Sequence, residues 1–327
     1  MKYRKLGKNG KEVSTVGFGA WGISGLDWGV TDDAQSKRAI HKALDSGVNF
    51  IDTADTYGFG HSETLIASVL KERKDRNNII IATKAGNNFY PFIEKGAKTT
   101  PSNADYSKDY LISALEKSLK RLGVEAVDVF QLHSPSIQFL EMDEPWMALE
   151  QLKKQGKILQ TGWSIQSFQE TQQAHILDQH ADLIDTIQVR YNLLEREAEQ
   201  ILFPKALQYG IGVIARIPIL FGLLAGKFSA DATFPENDHR HIHLAPEKLK
   251  VYFKQFERLK SFYDAYPDYS FAELSLRFCI SHPAVHTVIP GAKTERQVEE
   301  NVRASELEHI LFSDFPFNLL NNDNQNI

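Results

Sequence analysis

Short apolar segments rich in β-branched residues alternate along this chain with longer segments in which apolar residues recur at helical spacing. The short segments predict strands at residues 15–18, 49–51, 78–82, 126–131, 158–163, 186–189, 212–215 and 284–289. The longer segments predict helices at residues 33–46, 62–71, 108–122, 144–155, 169–179, 197–209, 271–281 and 295–305. Strands that alternate with helices in this way form a parallel sheet, and eight repeats close a (β/α)8 barrel, known as a TIM barrel.

Other segments fall outside the repeat. Residues 3–6 and 12–14, joined by Asn9-Gly10, predict a hairpin that plugs the bottom of the barrel. Residues 86–105 and 227–268 are long excursions after the third and seventh strands, where barrels carry their catalytic loops; the second contains a helix at about residues 246–266. We therefore expect one α/β barrel domain at residues 1–317 with an N-terminal β-hairpin plug, and a disordered tail at residues 318–327.

A doubly wound sheet is the alternative fold. Gly17, Gly19 and Gly22 approximate the spacing of a dinucleotide-binding loop. No helix is predicted to begin there, because residues 24–29 intervene, and the barrel is therefore favoured.

Composition narrows the class of protein. The 327 residues carry 37 basic and 42 acidic side chains, whereas broad binding of nucleic acid or anionic membranes needs a basic excess. The one cysteine, Cys279, cannot form an intrachain disulfide. Residues 1–13 lead into no apolar run of the signal-peptide type, and the longest apolar run, residues 217–225, is too short to span a bilayer. We expect a cytoplasmic protein that binds neither nucleic acid nor membrane.

Polar residues follow the ends of six predicted strands, where a closed barrel would gather them at its catalytic end. They are Asp52, Lys84, His133, Ser164, Gln188 and Arg216. With the nearby Tyr57, the first three form an acid–base set: a lysine lowers the pKa of a phenol, a carboxylate anchors the lysine, and a neutral imidazole donates a hydrogen bond to a carbonyl. Taken alone, Asp52 and Asp55 also fit a capping turn.

Three motifs carry a family resemblance: FIDTADTYG at residues 50–58, IATKAG at residues 81–86 and DVFQLHSP at residues 128–135. They resemble the motifs of the aldo-keto reductases, and the resemblance extends from residue 17 to residue 301. It implies an (α/β)8 barrel and metal-independent, NAD(P)H-dependent reduction of a small aldehyde or ketone. It also implies that Tyr57 is the general acid, that Lys84 and Asp52 lower its pKa, and that His133 orients the carbonyl.

At the positions that bind the nicotinamide end of the cofactor, this sequence matches the family pattern only in part. Ser164 and Gln188 match positions that hold the carboxamide, but Ile165 stands where the family usually has Asn. Arg216 replaces a stacking aromatic residue; it is expected to stack on the nicotinamide or contact substrate, or else to form a salt bridge across the mouth. The segment expected to cover the pyrophosphate contains Leu220, Gly222, Leu224, Gly226 and Lys227.

The helix after the eighth strand is expected to bind the other end of the cofactor, since a helix N-terminus suits a phosphate. The resemblance assigns the following residues to this region: Gly291, Lys293, Arg296, Gln297, Glu300 and Asn301. Lys293 and Arg296 favour the 2′-phosphate of NADPH over NADH, although Gly291 and Gln297 replace two commonly basic positions. Glu300 and Asn301 match residues that contact adenine.

The substrate pocket is expected at Trp21, Tyr57 and His133, with Trp28, Tyr90 and Phe221 as further aromatic candidates. The histidines of residues 238–243 suggest a solvated loop rather than a metal site, and no metal is predicted. Arg216 favours an aldehyde with a polar or anionic group, while the substrate itself and the oligomeric state stay open.

Two other functions remain as alternatives. The β subunits of potassium channels resemble the same barrel, so a cofactor-sensing regulatory subunit is one. A barrel isomerase or hydrolase with a carboxylate–histidine site is the other, and it predicts no nicotinamide binding.

Overall fold

The computed structural model describes residues 1–29, 31–93, 100 and 102–317; the tail predicted at residues 318–327 lies outside this range. Two short strands, β1 (Tyr3–Lys5) and β2 (Glu12–Ser14), precede eight parallel strands among the described residues. The parallel strands are β3 (Phe18–Gly19), β4 (Phe50–Asp52), β5 (Ile80–Ala85), β6 (Val127–His133), β7 (Ile158–Ser164), β8 (Thr186–Arg190), β9 (Gly212–Arg216) and β10 (Val285–Val288).

Helices separate these strands and cover the outside of the sheet. They are α1 (Asp33–Asp45), α2 (His61–Glu72), α3 (Tyr90–Ile93), α4 (Lys108–Leu122), α5 (Ile137–Leu140), α6 (Asp143–Lys154), α7 (Glu170–Gln173), α8 (Ile176–His180), α9 (Leu202–Tyr209), α10 (Arg240–His243), α11 (Pro246–Arg258), α12 (Lys260–Asp264), α13 (Phe271–Ser281) and α14 (Glu295–Arg303). Short 3-10 turns occupy Ala20–Ile23, Arg76–Asn78, Glu197–Glu199, Leu220–Ala225, Ala304–Glu306 and Phe312–Asp314. No helix within the described ranges is long and apolar enough to cross a membrane.

The sheet closes on itself. Strands β3 to β10 lie side by side in chain order, each parallel to the next. The two ends meet through backbone hydrogen bonds from Gly17 N to Val288 O (2.7 Å), from Val288 N to Thr15 O (3.0 Å) and from Gly19 N to Pro290 O (3.1 Å). The barrel prediction is confirmed, and the doubly wound alternative is wrong.

The N-terminal hairpin fills the lower opening of the barrel. Strands β1 and β2 pair antiparallel, and Leu6 and Val13 are fully buried. They join a core cluster inside the sheet with Phe50, Ile80, Ala82, Val129, Ile214 and Ile289. Gly7 has a φ of +65°, and a Cβ there would lie 2.7 Å from Gly212 N, so the turn fits closely against the barrel wall.

The predicted helices are largely observed, with three exceptions. The helix predicted at about residues 246–266 is divided at Leu259 into α11 and α12. The single helix predicted at residues 169–179 is wrong, because α7 ends at Gln173 and α8 begins at Ile176. The Gln173 amide donates to Pro135 O (2.7 Å), which ties this turn to the loop after β6. The helix predicted at residues 197–209 begins as a 3-10 turn and becomes α-helical only at Leu202, since Pro204 has no N–H for a preceding turn.

The fold predicts how stability depends on the plug. Replacing Leu6 with Ala should lower the free energy of unfolding by about 2–5 kcal/mol, because a fully buried leucine leaves a cavity inside the sheet. Chemical denaturation measures the change. Lys5→Ala is the matched control, since Lys5 is the exposed neighbour of Leu6 in the chain. Equal stability of the two variants would show that the hairpin does not support the barrel.

Candidate active site

The carboxyl ends of the barrel strands surround a cavity of about 850 Å³. Parallel register brings the strand-end residues together: His133 lies opposite Ser164, and Ser164 lies opposite Gln188. Many of the residues predicted from the sequence line this cavity, namely Trp21, Asp52, Tyr57, His133, Ser164, Gln188, Arg216, Gly222, Lys227, Gly291, Lys293 and Gln297. Leu220, Leu224, Gly226, Glu300 and Asn301 are not among its lining residues.

A buried ammonium lies below the cavity. Lys84 is 0% exposed, and its Nζ donates to Asp52 Oδ2 (2.7 Å), to the carbonyl of Thr53 (2.7 Å) and to Tyr57 Oη (3.2 Å). Burial alone would lower the pKa of Lys84, but the Asp52 carboxylate and Tyr57 outweigh it, and the pKa is raised. Lys84 is therefore a charged group whose three hydrogens are all used.

The second oxygen of Asp52 accepts hydrogen bonds from two amides. Gln188 Nε2 lies 2.6 Å from Oδ1, and Gln131 Nε2 lies 3.5 Å away. Gln131 was not predicted, although Val129, Gln131 and His133 share one face of β6 by alternation. The carboxylate is thus satisfied on both sides without water.

Tyr57 presents a protonated phenol to the cavity. Burial raises its pKa, although the adjacent Lys84 ammonium acts to lower it. The lowered pKa expected from the neighbouring lysine is therefore not observed, because desolvation of a phenolate is the larger effect. The ring stacks on Trp21 with centroids 5.8 Å apart and meets His133 edge-on at 5.8 Å.

His133 is neutral, and contacts to its ring and to its backbone hold it in place. Its Nδ1 lies 3.4 Å from Thr56 Oγ1, and its backbone carbonyl accepts a hydrogen bond from the buried Tyr106 hydroxyl (2.5 Å). Burial lowers the pKa of His133 well below its usual value, and the charges of Lys84 and Arg216 lower it further. Tyr106 lies within the long segment after β5, where no periodic pattern pointed to it.

This arrangement suits a reaction in which negative charge develops on an oxygen atom. The phenol of Tyr57 and the imidazole of His133 are neutral groups that face one cavity, and the Lys84 ammonium is hydrogen-bonded to the phenol. Preorganised donors of this kind stabilise an oxyanion without reorganisation.

Some residues of the segment after β9 line the cavity, and others belong to the hydrophobic core. Phe221 and Gly222 adopt positive φ values of 56° and 102°, which turns the chain sharply at the cavity wall. Leu220 and Leu224 are instead fully buried in the core. Gly226 packs against Phe271, where a Cβ would lie 2.7 Å from the ring.

Helix α14 begins beside the cavity with a capping box formed by Thr294 and Gln297. The Gln297 side chain also accepts from Lys293 N (2.7 Å), and the Lys293 ammonium donates to the carbonyl of Trp28 (3.0 Å). Arg296 is exposed at the start of the same helix. Glu300 and Asn301 lie one turn further on, partly and fully buried respectively.

An aromatic cluster covers the mouth. His239 packs on Trp21 and Trp28 with centroids 4.2 and 4.0 Å away, and its backbone N–H donates to Asp27 O. The prediction of a solvated histidine loop is therefore wrong for Asp238 and His239, which are buried because the loop folds back over the mouth. No group of His, Cys, Asp or Glu within the described ranges is arranged to hold a metal ion.

Tyr90 lies away from this mouth. Its hydroxyl accepts a hydrogen bond from Arg121 (3.3 Å), and Lys117 lies over its ring at 3.6 Å. Tyr90 is not among the residues that line the cavity, so the structure gives no support for it as a pocket residue.

Comparison with known proteins relates this fold to one family. A family model described as the aldo/keto reductase family matches residues 15–314. Aldo-keto reductase YhdN of Bacillus subtilis (strain 168) is 30% identical over 301 residues, covering 91% of this chain and 87% of that protein. A probable voltage-gated potassium channel subunit beta of Arabidopsis thaliana is 29% identical over 323 residues, covering 95% and 93%. The solved holo form of aldo-keto reductase AKR11C1 from Bacillus halodurans has a TM-score of 0.75 at 30% identity, covering 98% and 94%.

The buried ion pair predicts a specific pattern of stability. Lys84→Met should destabilise the protein by about 3–5 kcal/mol, because it leaves the Asp52 carboxylate buried without its counter-ion. The double variant Asp52→Asn/Lys84→Met should lose less, since no unpaired charge remains. Denaturant unfolding of both variants measures this difference.

The pH dependence of the single variant gives a second readout. Burial already raises the folded-state pKa of Asp52 although Lys84 acts to lower it, so removing Lys84 raises this pKa further and protonation favours the folded form. The deficit of Lys84→Met should therefore shrink as the pH falls through that raised pKa. A deficit that is independent of pH, or equal in the double variant, would contradict the ion-pair account.

Proposed function

This chain belongs to the aldo/keto reductase family, and on that premise we propose that it reduces an aldehyde or ketone to an alcohol with NADPH. The observation that carries the proposal is the buried Lys84 ammonium hydrogen-bonded to both Asp52 and the Tyr57 phenol at the floor of the cavity. Family membership makes the chain an oxidoreductase. The substrate, the choice of NADPH and the role of Tyr57 belong to the proposal.

Each side chain has a separate role in the addition of a hydride and a proton to a carbonyl. When bound, the cofactor supplies the hydride. Tyr57 donates its hydroxyl proton to the carbonyl oxygen, and Lys84 stabilises the phenolate that results. Asp52 keeps Lys84 charged and in position. His133, neutral because its pKa is lowered, orients the carbonyl by a hydrogen bond.

The residues around the cavity fit a nicotinamide dinucleotide. Ser164 and Gln188, adjacent across β7 and β8, offer hydroxyl and amide groups at the end near Tyr57. Gly222 has a φ of 102° and so permits a close backbone approach over a pyrophosphate. Ile165 is fully buried and donates only its backbone N–H, to Gln188 O, so it supplies no side-chain hydrogen bond.

A preference for NADPH rests on the start of α14. Lys293 lines the cavity and Arg296 is exposed at the N-terminus of the helix, where a phosphate is favoured. The Lys293 ammonium would have to leave the Trp28 carbonyl to reach a 2′-phosphate.

Arg296→Ala tests this preference. It should weaken NADPH binding by about tenfold, the value of one charge-assisted hydrogen bond, and leave NADH binding unchanged. Cofactor fluorescence titration measures both constants. Arg38→Ala is the control, because Arg38 pairs with Glu295 on the outer side of the same helix end. Equal loss for both cofactors would place the 2′-phosphate elsewhere.

A regulatory subunit is the second candidate, favoured by the 29% identity to a probable voltage-gated potassium channel subunit beta. Such a protein would bind the cofactor tightly and turn over slowly. Multiple turnovers against small aldehydes favour the enzyme, whereas tight binding with at most one slow turnover favours the regulator.

Tyr57→Phe tests the reductase proposal. Removing only the hydroxyl should lower the rate of NADPH oxidation with aldehydes by about 10²–10⁴-fold, the usual contribution of a general acid, with cofactor binding retained. Absorbance at the reduced-nicotinamide band measures the rate. Tyr90→Phe is the matched control, since its hydroxyl bonds Arg121 away from the cavity. A Tyr57→Phe variant as active as Tyr90→Phe would exclude Tyr57 as the acid.

A further inference from the structure

Arg216, the last residue of β9, carries a charge that no carboxylate neutralises. Its Nη2 donates to the carbonyl of Ile165 (3.0 Å) and to Ser167 Oγ (3.0 Å). Its Nε is buried without a hydrogen-bond partner within the described part of the chain. No carboxylate among the described residues forms an ion pair with it.

Three other cations in or near this cavity do have carboxylate partners. Lys84 pairs with Asp52, and Arg190, the neighbour of Arg216 across β8 and β9, pairs with Glu195. Arg240 likewise pairs with Asp238. The salt bridge expected as one alternative for Arg216 is therefore not observed, since the nearby Glu195 pairs with Arg190 instead.

The surroundings of Arg216 do not compensate for this charge. Glu170 and Glu195 interact with it electrostatically without pairing, and Glu195 is already bound by Arg190, Asn192 and Tyr252. Burial and the nearby Arg190 lower the pKa of Arg216. Arg216 is partly buried and lines the cavity, so an anion in the cavity would supply the counter-charge that the protein does not.

A second donor lies beside the guanidinium. Ser167 Oγ accepts from Arg216, so its own hydroxyl hydrogen remains available to an anion, and both residues line the cavity. The charge of Arg216 also acts on Tyr57 and His133, which links it to the reacting end of the cavity rather than to α14.

We propose that Arg216 and Ser167 bind an anionic group of the substrate, so that the preferred substrates are carbonyl compounds carrying a carboxylate or phosphate. This inference rests on the proposed reductase function and names its substrate class. A guanidinium suits either anion because it presents several N–H donors in one plane.

Matched pairs of aldehydes test the proposal by activity. The carboxylate arm compares 4-carboxybenzaldehyde with methyl 4-formylbenzoate, and the phosphate arm compares glyceraldehyde 3-phosphate with glyceraldehyde. In at least one arm the wild type should have a higher kcat/KM for the anionic aldehyde than for the neutral one. Arg216→Met should lower the kcat/KM for that anionic aldehyde by about tenfold or more, mainly by raising KM. The kcat/KM of the neutral partner should fall by a smaller factor than that of the anion. Lys248→Met, an exposed basic residue at the rim, is the control for long-range charge.

Binding measurements distinguish a failure of this inference from a failure of the reductase proposal. Calorimetric titration with 4-(hydroxymethyl)benzoate and with inorganic phosphate, in the presence of NADP⁺, needs no turnover. Arg216→Met should weaken the anion that binds the wild type, Ser167→Ala should weaken it less, and NADPH affinity should not change. If no aldehyde is reduced but the anion binds through Arg216, the reductase proposal fails and the anion site stands.

Three results would overturn the inference. The first is equal loss for anionic and neutral aldehydes in Arg216→Met. The second is a matching loss of NADPH affinity, which would assign Arg216 to the cofactor. The third is anion binding that is absent from the wild type or unaffected by the substitution.

Discussion

A single buried ammonium organises the candidate site. Lys84 is enclosed by protein on all sides, and its three hydrogens go to a carboxylate, a backbone carbonyl and a phenol. A charge in that position is tolerable only if its partners are held rigidly, since desolvation of an unpaired ion costs several kcal/mol. The carboxylate on one side and the phenol on the other are therefore fixed relative to each other before any ligand arrives.

The barrel supplies that rigidity. Lys84 and Asp52 come from neighbouring strands, β5 and β4, while the amides that complete Asp52 come from β6 and β8. Lys84, Asp52 and the two amides thus all sit on strands of a closed sheet with a filled interior. The hairpin plug completes that interior from below, so packing at the bottom of the barrel supports geometry at the top.

Much of this arrangement was predictable, because it follows from periodicity. Alternation and strand ends were enough to find Asp52, Lys84 and His133, and the helical spacing of apolar residues predicted the observed bounds of α4 and α13. The partners that fix His133 were not predictable: Tyr106 reaches its carbonyl from a loop without pattern, and Thr56 meets its ring by tertiary contact. The direction in which the pKa of Tyr57 shifts also required the structure, because the sequence shows the lysine but not how deeply the phenol is buried.

Three features meet at one cavity: a protonated phenol hydrogen-bonded to a buried ion pair, a neutral histidine, and an arginine without a counter-ion. The most direct test of carbonyl reduction follows the hydride itself, using NADPH deuterated on one face of C4 and an accepted aldehyde. The account predicts alcohol with one deuterium on the former carbonyl carbon from one labelled face only. Alcohol without deuterium from either labelled face, or cofactor oxidation without alcohol, would contradict it.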